Sequence, residues 1–203
     1  VRRVAHRRGQ RGQGRLADRP RRAVGGGGLI GLEVAAAARQ LGCTVAVLEA
    51  ADRLMARCVP PTISARFATL HRGHGVALHL SCALQAIEPA ADGGLLLLAE
   101  GGVRVAADLV VAGIGGVAET ALAEAAGISV RDGILTDAQG GTNIPGIHAA
   151  GEVARFPHPF WGGRAVRLEA WQVAQNQPVA VARAICGQAG GYDEIPWHWT
   201  DQF

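Results

Sequence analysis

Gly26, Gly28 and Gly31 stand two and then three residues apart in the run GGGGLIG (25–31), between a short apolar stub and a stretch of helical spacing. In such a turn the first glycine permits the tight bend, the second lets backbone approach a bulky anion, and the third lets the helix lie close to the strand. The opening amides of the helix, those of Leu29, Ile30 and Gly31, have no partner within the helix and sit at the positive end of its dipole. Backbone of this kind suits a diphosphate. Glu49 ends the next apolar stretch, TVAVLE (44–49), 23 residues after Gly26. A carboxylate there accepts hydrogen bonds from ribose hydroxyls and repels a 2′-phosphate, so the pair points to a dinucleotide and favours NAD over NADP. Arg53, four residues further on, softens that preference.

The elements that must position these residues follow from hydrophobic period. Ala23–Val24 is the stub of a strand, and Leu32, Ala35, Ala36 and Arg39 give a helix over 29–41 that Gly42 stops. TVAVLE is a buried parallel strand, which completes one β-α-β unit. A second helix is expected over 61–74. Strands follow at 76–80, 84–89, 94–100, 103–107 and 108–115, with Asp92-Gly93 and Gly101-Gly102 as turns. Beyond them the pattern predicts a helix at 119–126, short strands near 128–130 and 134–136, and a helix over about 169–186. Gly25 places a fourth glycine where a β-branched residue would pack better, so the first strand should be weaker by about 1 kcal/mol.

Composition bounds the class. The chain has 203 residues, 49% of them hydrophobic and 18% charged, which suits a folded chain rather than a disordered one. No apolar run approaches the roughly 20 residues that span a bilayer, and the opening stretch lacks the apolar core of a secretory signal. The formal charge of +3 is unevenly spread: nine arginines lie in the first 22 positions, against 11 arginines and 16 acids afterwards, and there is no lysine. Residues 1–22 therefore read as a basic, unordered tail. No aromatic is interleaved with those arginines, so a nucleic-acid arm is not the favoured reading. Cys43, Cys58, Cys82 and Cys186 form no close pair, which argues against zinc, an iron–sulfur cluster or a local redox disulfide. They read as reduced thiols serving as small apolar side chains in a cytoplasmic protein. His71, His74 and His79 make no metal motif and read as core or solvated histidines.

The segments GGGLIGLEVA (26–35), TVAVLEAADRLM (44–55), ADLVVAGIG (107–115), IPGIHAAGEVA (144–154), RLEAWQ (167–172) and YDEIPWHWTDQF (192–203) occur in one order. That order resembles the FAD-dependent pyridine nucleotide-disulfide oxidoreductases. More narrowly it is similar to the ferredoxin reductase components of bacterial aromatic-ring dioxygenases, of the phenylpropionate/cinnamate type. The resemblance covers residues 23–203 and implies an α/β fold: a Rossmann-like NAD-binding domain with a parallel sheet, helices and a β-meander over 23–115. A partial FAD-binding domain would follow over 116–190, with the start of a C-terminal domain at 191–203. It implies that Gly26, Gly28, Gly31 and Glu49 hold NAD, and that Glu33 lies near the nicotinamide carboxamide. The plain alternative for Glu33 is an acid complementing the helix dipole. Gly113 and Gly115 would edge the nicotinamide half of the site, or serve only as turn glycines. Gly151 and Glu152, in AAGEVA, match the second flavin fingerprint, with Glu152 one methylene longer than the usual Asp. Trp171 matches the position beside the flavin ring, and is otherwise a large core residue.

The implied reaction passes electrons from NADH through FAD to a ferredoxin, an iron–sulfur protein, and asks little acid–base chemistry of the protein. No catalytic side chain is therefore expected. The family's earlier flavin-binding glycine motif is not found before Ala23, so the chain is expected to be incomplete and its own turnover negligible. Gly116, Ala118 and Val173 also depart from the family pattern. The competing reading is a non-catalytic NAD-binding module, which a flavin-free visible spectrum would favour; an arginine-tailed nucleic-acid binder is a third.

Overall fold

The computed structural model describes residues 21–203, so the arginine-rich run 1–20 lies outside the described residues. The chain divides into two compact units. One holds the described residues up to Gly116 together with Thr200–Phe203; the other is Val117–Trp199.

The first unit is built on a parallel sheet of β1 (Arg21–Gly25), β2 (Thr44–Leu48), β3 (Val76–His79) and β7 (Leu109–Ala112), in the order β3-β2-β1-β7. Helix α1 (Leu29–Gln40) joins β1 to β2 and buries Leu32, Ala35, Ala36 and Ala38. Its small side chains let it lie close to Val24, Val45 and Val47. The helix ends where Gly42 turns to φ +81°, with the Cys43 amide donating back to the Ala38 carbonyl. Helix α2 (Pro61–Gly73) joins β2 to β3 by way of the loop at 49–60. An antiparallel meander of β4 (Leu84–Pro89), β5 (Leu95–Ala99) and β6 (Arg104–Ala107) leads into β7. Leu97 and Ala99 pack with Ala23 and Leu48, so the meander covers one face of the parallel sheet.

Arg21 and Arg22 correct the expected tail boundary, because both belong to β1. The Arg21 guanidinium lies 2.6 Å from Asp108 Oδ1 and 2.8 Å from Asp92 Oδ2, and its amide donates to Asp108 Oδ2 at 3.0 Å. Asp108 first, and Asp92 second, raise its pKa above the ordinary arginine value. Arg22 is buried, with a guanidinium nitrogen donating to the Arg21 carbonyl. Read as charges, these residues resemble the run before them; the acidic partners of Arg21 lie more than 70 residues away.

Gly25 pairs with Leu48 and Ala112 in the middle of the sheet. A Cβ there would meet only Leu84 Cδ2, at 3.9 Å, an ordinary contact. Gly25→Ala is therefore expected to raise stability by about 0.5–1 kcal/mol, chiefly by restricting the unfolded chain. The check is the urea midpoint, which should rise at unchanged slope; a lower midpoint would show that the strand end does not admit a methyl group.

The second unit contains a short helix α3 (Ala121–Ala125), a sheet in the order β10-β9-β8, and a long helix α4 (Trp171–Ile185). Strand β8 (Ile134–Leu135) runs parallel to β9 (Ala154–His158), which pairs antiparallel with β10 (Arg164–Val166). The strand expected at 128–130 is reduced to a single bridge, Val130 to Ile134. Phe156, Ala170, Val173 and Tyr192 form this unit's core. Burial there, with a smaller contribution from Glu194, pushes the Tyr192 phenol up to about 12. Cys43 and Cys82 are buried, as small apolar residues should be, but Cys58 and Cys186 are exposed, which corrects the expectation for those two. Among the described residues no helix is long and apolar enough to cross a membrane.

Candidate functional site

At the carboxyl end of β1 the chain must turn into α1 within three residues, and three glycines make that turn. Gly26 adopts φ +100°, and a Cβ on it would fall 2.4 Å from the Gly113 carbonyl oxygen. A Cβ on Gly31 would fall 2.0 Å from the Gly26 carbonyl oxygen. Gly113 closes the same knot from β7: its amide donates to the Gly25 carbonyl at 2.7 Å, and a Cβ would stand 3.2 Å from Gly31 Cα. Gly113 is thus required by packing. Gly28 differs. It has ordinary extended φ/ψ of −80° and −177°, and nothing lies within 4 Å of the place its Cβ would take.

The first rung of α1 is Leu32 N–H to Gly28 C=O, at 3.0 Å. The amides of Leu29, Ile30 and Gly31 precede that rung and open the helix, and no side chain caps this end. Open space at Gly28 beside uncapped amides fits a diphosphate on this loop.

Glu49 does more than the sequence indicated. Its Oε2 accepts the Gly27 amide at 2.5 Å and its Oε1 accepts the Ala51 amide at 2.7 Å. The carboxylate therefore fastens the glycine loop to the end of β2, while each oxygen retains a further lone pair for ribose hydroxyls. Gly27, an unassigned position of the motif, is also constrained: a Cβ would lie 2.7 Å from Leu54 Cδ2 and 3.2 Å from the Glu49 carboxylate. Its carbonyl accepts the Met55 amide at 2.9 Å.

Arg53 is turned into the loop after β2. Its two terminal nitrogens donate to the carbonyls of Val59 and Ala56, each at 2.7 Å, so its charge is spent on holding that loop. The arginine that reaches the site's edge is Arg57, which the sequence reading passed over. A Cβ at Gly115, where φ is +93°, would stand 3.2 Å from an Arg57 guanidinium nitrogen. Arg53 and Arg57 stand four positions apart, and nothing local tells which is folded inward. Ile114, 79% exposed, and Ile30, 65% exposed, add apolar surface at this carboxyl end of the sheet. Glu33 lies in the second turn of α1 and not the first, so complementing the dipole does not explain it. Its Oε1 accepts the Thr200 hydroxyl at 2.7 Å and the Asp201 amide at 3.4 Å.

In the second unit, Gly151 has φ +80° and is buried, and its amide donates to Gln177 Oε1 of α4 at 2.7 Å. Gln177, itself buried, was invisible as a functional candidate because its partner is 26 residues away. The Glu152 side chain is exposed and its carboxylate meets no donor among the described residues, while its carbonyl accepts Arg167 Nη1 at 3.3 Å. Trp171, 61% exposed, opens α4 and meets Trp199 edge to face at 6.0 Å. It is not a core residue. An exposed carboxylate and an exposed indole fit the hydroxyls and the flat ring of a flavin.

Residues 6–178 match the family of pyridine nucleotide-disulphide oxidoreductases, and the chain belongs to that family. It is 46% identical over 203 residues to the ferredoxin–NAD(+) reductase component of the anthranilate 1,2-dioxygenase system of Burkholderia cepacia, covering 100% of this chain and 49% of that one. It is 40% identical over 180 residues to the corresponding component of the p-cumate 2,3-dioxygenase system of Pseudomonas putida, covering 89% and 43%. Among solved structures, the reductase of the covalent putidaredoxin reductase–putidaredoxin complex matches with a TM-score of 0.88 and 38% identity, over 100% of this chain and 48% of that one. The chain spans about half the length of these relatives. Fold and family agree with the resemblance read from the ordered motifs.

Proposed function

We propose that this chain forms the NADH-binding portion of a flavoprotein oxidoreductase that passes electrons through FAD to a ferredoxin of an aromatic-ring dioxygenase system. The observation that carries the reading is the cup at the head of α1: uncapped amides of Leu29, Ile30 and Gly31 beside the open face of Gly28, with the Glu49 carboxylate at the next strand's end. The relatives named as ferredoxin reductase components of dioxygenase systems support the partner and the system.

Hydride transfer between nicotinamide and flavin is the chemistry that the two cofactors supply when bound. The protein's part is placement. Gly26, Gly31 and Gly113 set the loop; the helix amides hold the diphosphate; Glu49 takes the adenosine ribose and disfavours a 2′-phosphate. Arg57 adds positive charge at the Gly115 edge, whereas Arg53, expected to soften the preference that Glu49 sets, is committed to the carbonyls of Val59 and Ala56. Glu33 takes the carboxamide. In the second unit Glu152 accepts from the flavin's ribityl hydroxyls and Trp171 lies against its ring. No side chain need gain or lose a proton in this scheme.

Titration of NADH into the 203-residue chain tests the proposal. Saturable binding is expected, competed by ADP-ribose, with NADPH weaker by about tenfold or more because its 2′-phosphate meets Glu49. Equal affinity for the two would remove Glu49 from the ribose, and no binding of either would end the reading. Visible absorbance of flavin retained with the chain separates it from a module that merely holds NAD.

A further inference from the structure

We infer that Thr200 is a positioning residue for Glu33, holding one oxygen of that carboxylate so that the other is left to receive the nicotinamide carboxamide. The inference rests on the dinucleotide reading above and adds to it a residue 167 positions from Glu33 in sequence.

The first unit is completed by the segment Thr200–Phe203, which lies along α1 and α2. Its hydrogen bonds fix one another's direction. Glu33 Oε1, a carboxylate oxygen, can only accept, so the single hydroxyl hydrogen of Thr200 goes to it, at 2.7 Å. Thr200 Oγ1 must then accept from its other neighbour, Gln202 Nε2, at 2.8 Å. That turns the Gln202 carbonyl oxygen toward His71 Nε2, also at 2.8 Å. An amide oxygen only accepts, so His71 carries its hydrogen on Nε2. The result is one relay in which every donor points toward the carboxylate: His71 to Gln202, Gln202 to Thr200, Thr200 to Glu33.

The far end of the relay is buried and packed. His71 is fully buried, and burial lowers its pKa, which keeps the ring neutral. Phe203 stacks on His74 with ring centroids 3.9 Å apart and meets His71 edge to face at 5.0 Å. The Asp201 amide adds a second donor to Glu33 Oε1 at 3.4 Å. Both donors to Glu33, the Thr200 hydroxyl and the Asp201 amide, meet Oε1. Among the described residues Oε2 meets no donor, and a carboxamide NH2 is a donor of the kind it lacks.

The test compares NADH with ADP-ribose, which lacks the nicotinamide, on the full chain carrying Thr200→Val, Thr200→Ser or Glu33→Gln. Thr200→Val keeps the side chain's shape and removes the donor. It is expected to weaken NADH binding about five- to tenfold while leaving ADP-ribose unchanged, with Thr200→Ser close to the parent and Glu33→Gln resembling Thr200→Val. Equal weakening of both ligands by Thr200→Val would show that the segment only braces the fold, and no weakening of NADH would show that Glu33 needs no support; either overturns the inference and leaves the dinucleotide reading intact. Failure of the unmodified chain to bind ADP-ribose would end both. Because ADP-ribose binding reports the folded unit, a variant that fails to fold is recognised as such, and Thr200→Ala, which removes the hydroxyl without adding a branch, then decides the matter by the same comparison.

Discussion

Gly31→Ala is expected to cost about 3 kcal/mol of stability and to reduce NADH affinity roughly a hundredfold, at the upper end of what one added methyl does in a packed interior. The obstacle is backbone. The new Cβ would lie 2.0 Å from the Gly26 carbonyl oxygen and 3.3 Å from Val24 Cγ1. No flexible side-chain end is available to move, so α1 must back away from β1 by more than an ångström. That shift carries the amides of Leu29 and Ile30 with it, and charge-assisted hydrogen bonds are worth about 1.5–3 kcal/mol each. It also opens the contact between Gly31 and Gly113. Gly28→Ala is the internal control. Its φ and ψ suit any residue and its Cβ would meet nothing within 4 Å. Stability should therefore stay within about 0.5 kcal/mol of the parent, while the methyl group projects into the opening and weakens NADH. Urea unfolding and NADH titration of both variants separate packing from binding. Parent-like behaviour of Gly31→Ala would mean that the knot is looser than its geometry states.

The parts of this molecule that were readable in sequence are those whose cause is local. The helix expected over 29–41 occupies Leu29–Gln40, because its apolar period and the stop at Gly42 lie within one stretch. The meander was legible for the same reason: glycine turns separate short apolar runs, and β4 falls at Leu84–Pro89 as its pattern predicted. Where a residue's role depends on a distant partner, the sequence misled or was silent. Arg21 looks like the tail before it until Asp108 and Asp92 are brought alongside, and Arg22 until its strand is buried in the sheet. Arg53 and Arg57 differ only in which one the loop at 49–60 turns inward. The second unit was less legible because its strands are two to five residues long and its helix α3 only five, too short for period to be resolved. Within the site, Gly26, Gly31 and Glu49 were visible through spacing. Thr200, Gln177 and Arg57 were not, since each is defined by a contact with a distant residue; Thr200 stands in the segment 192–203, but nothing in its spacing points to Glu33.

Glu49 tests whether a single carboxylate serves both the loop and the ligand. Glu49→Ala removes the acceptor of the Gly27 amide, which is buried, and of the Ala51 amide. An orphaned buried amide costs about 1–3 kcal/mol, so a stability loss near 2 kcal/mol is expected in the absence of any nucleotide. NADH binding should weaken by a further ~1–3 kcal/mol as the ribose hydroxyls lose a charged acceptor. Glu49→Gln separates the two effects. Its amide oxygen can serve one of the two loop amides but its NH2 opposes the other, so stability should fall between parent and Glu49→Ala. It also removes the negative charge, and the preference for NADH over NADPH should narrow for that reason alone. Unfolding without ligand reads the first role, and the ratio of the two affinities reads the second. Loss of affinity at full stability would leave the carboxylate to the ligand only. A destabilised loop with an unchanged affinity ratio would make Glu49 a structural clasp, and the acceptor for the adenosine sugar would then have to be sought elsewhere on the loop that Arg53 holds.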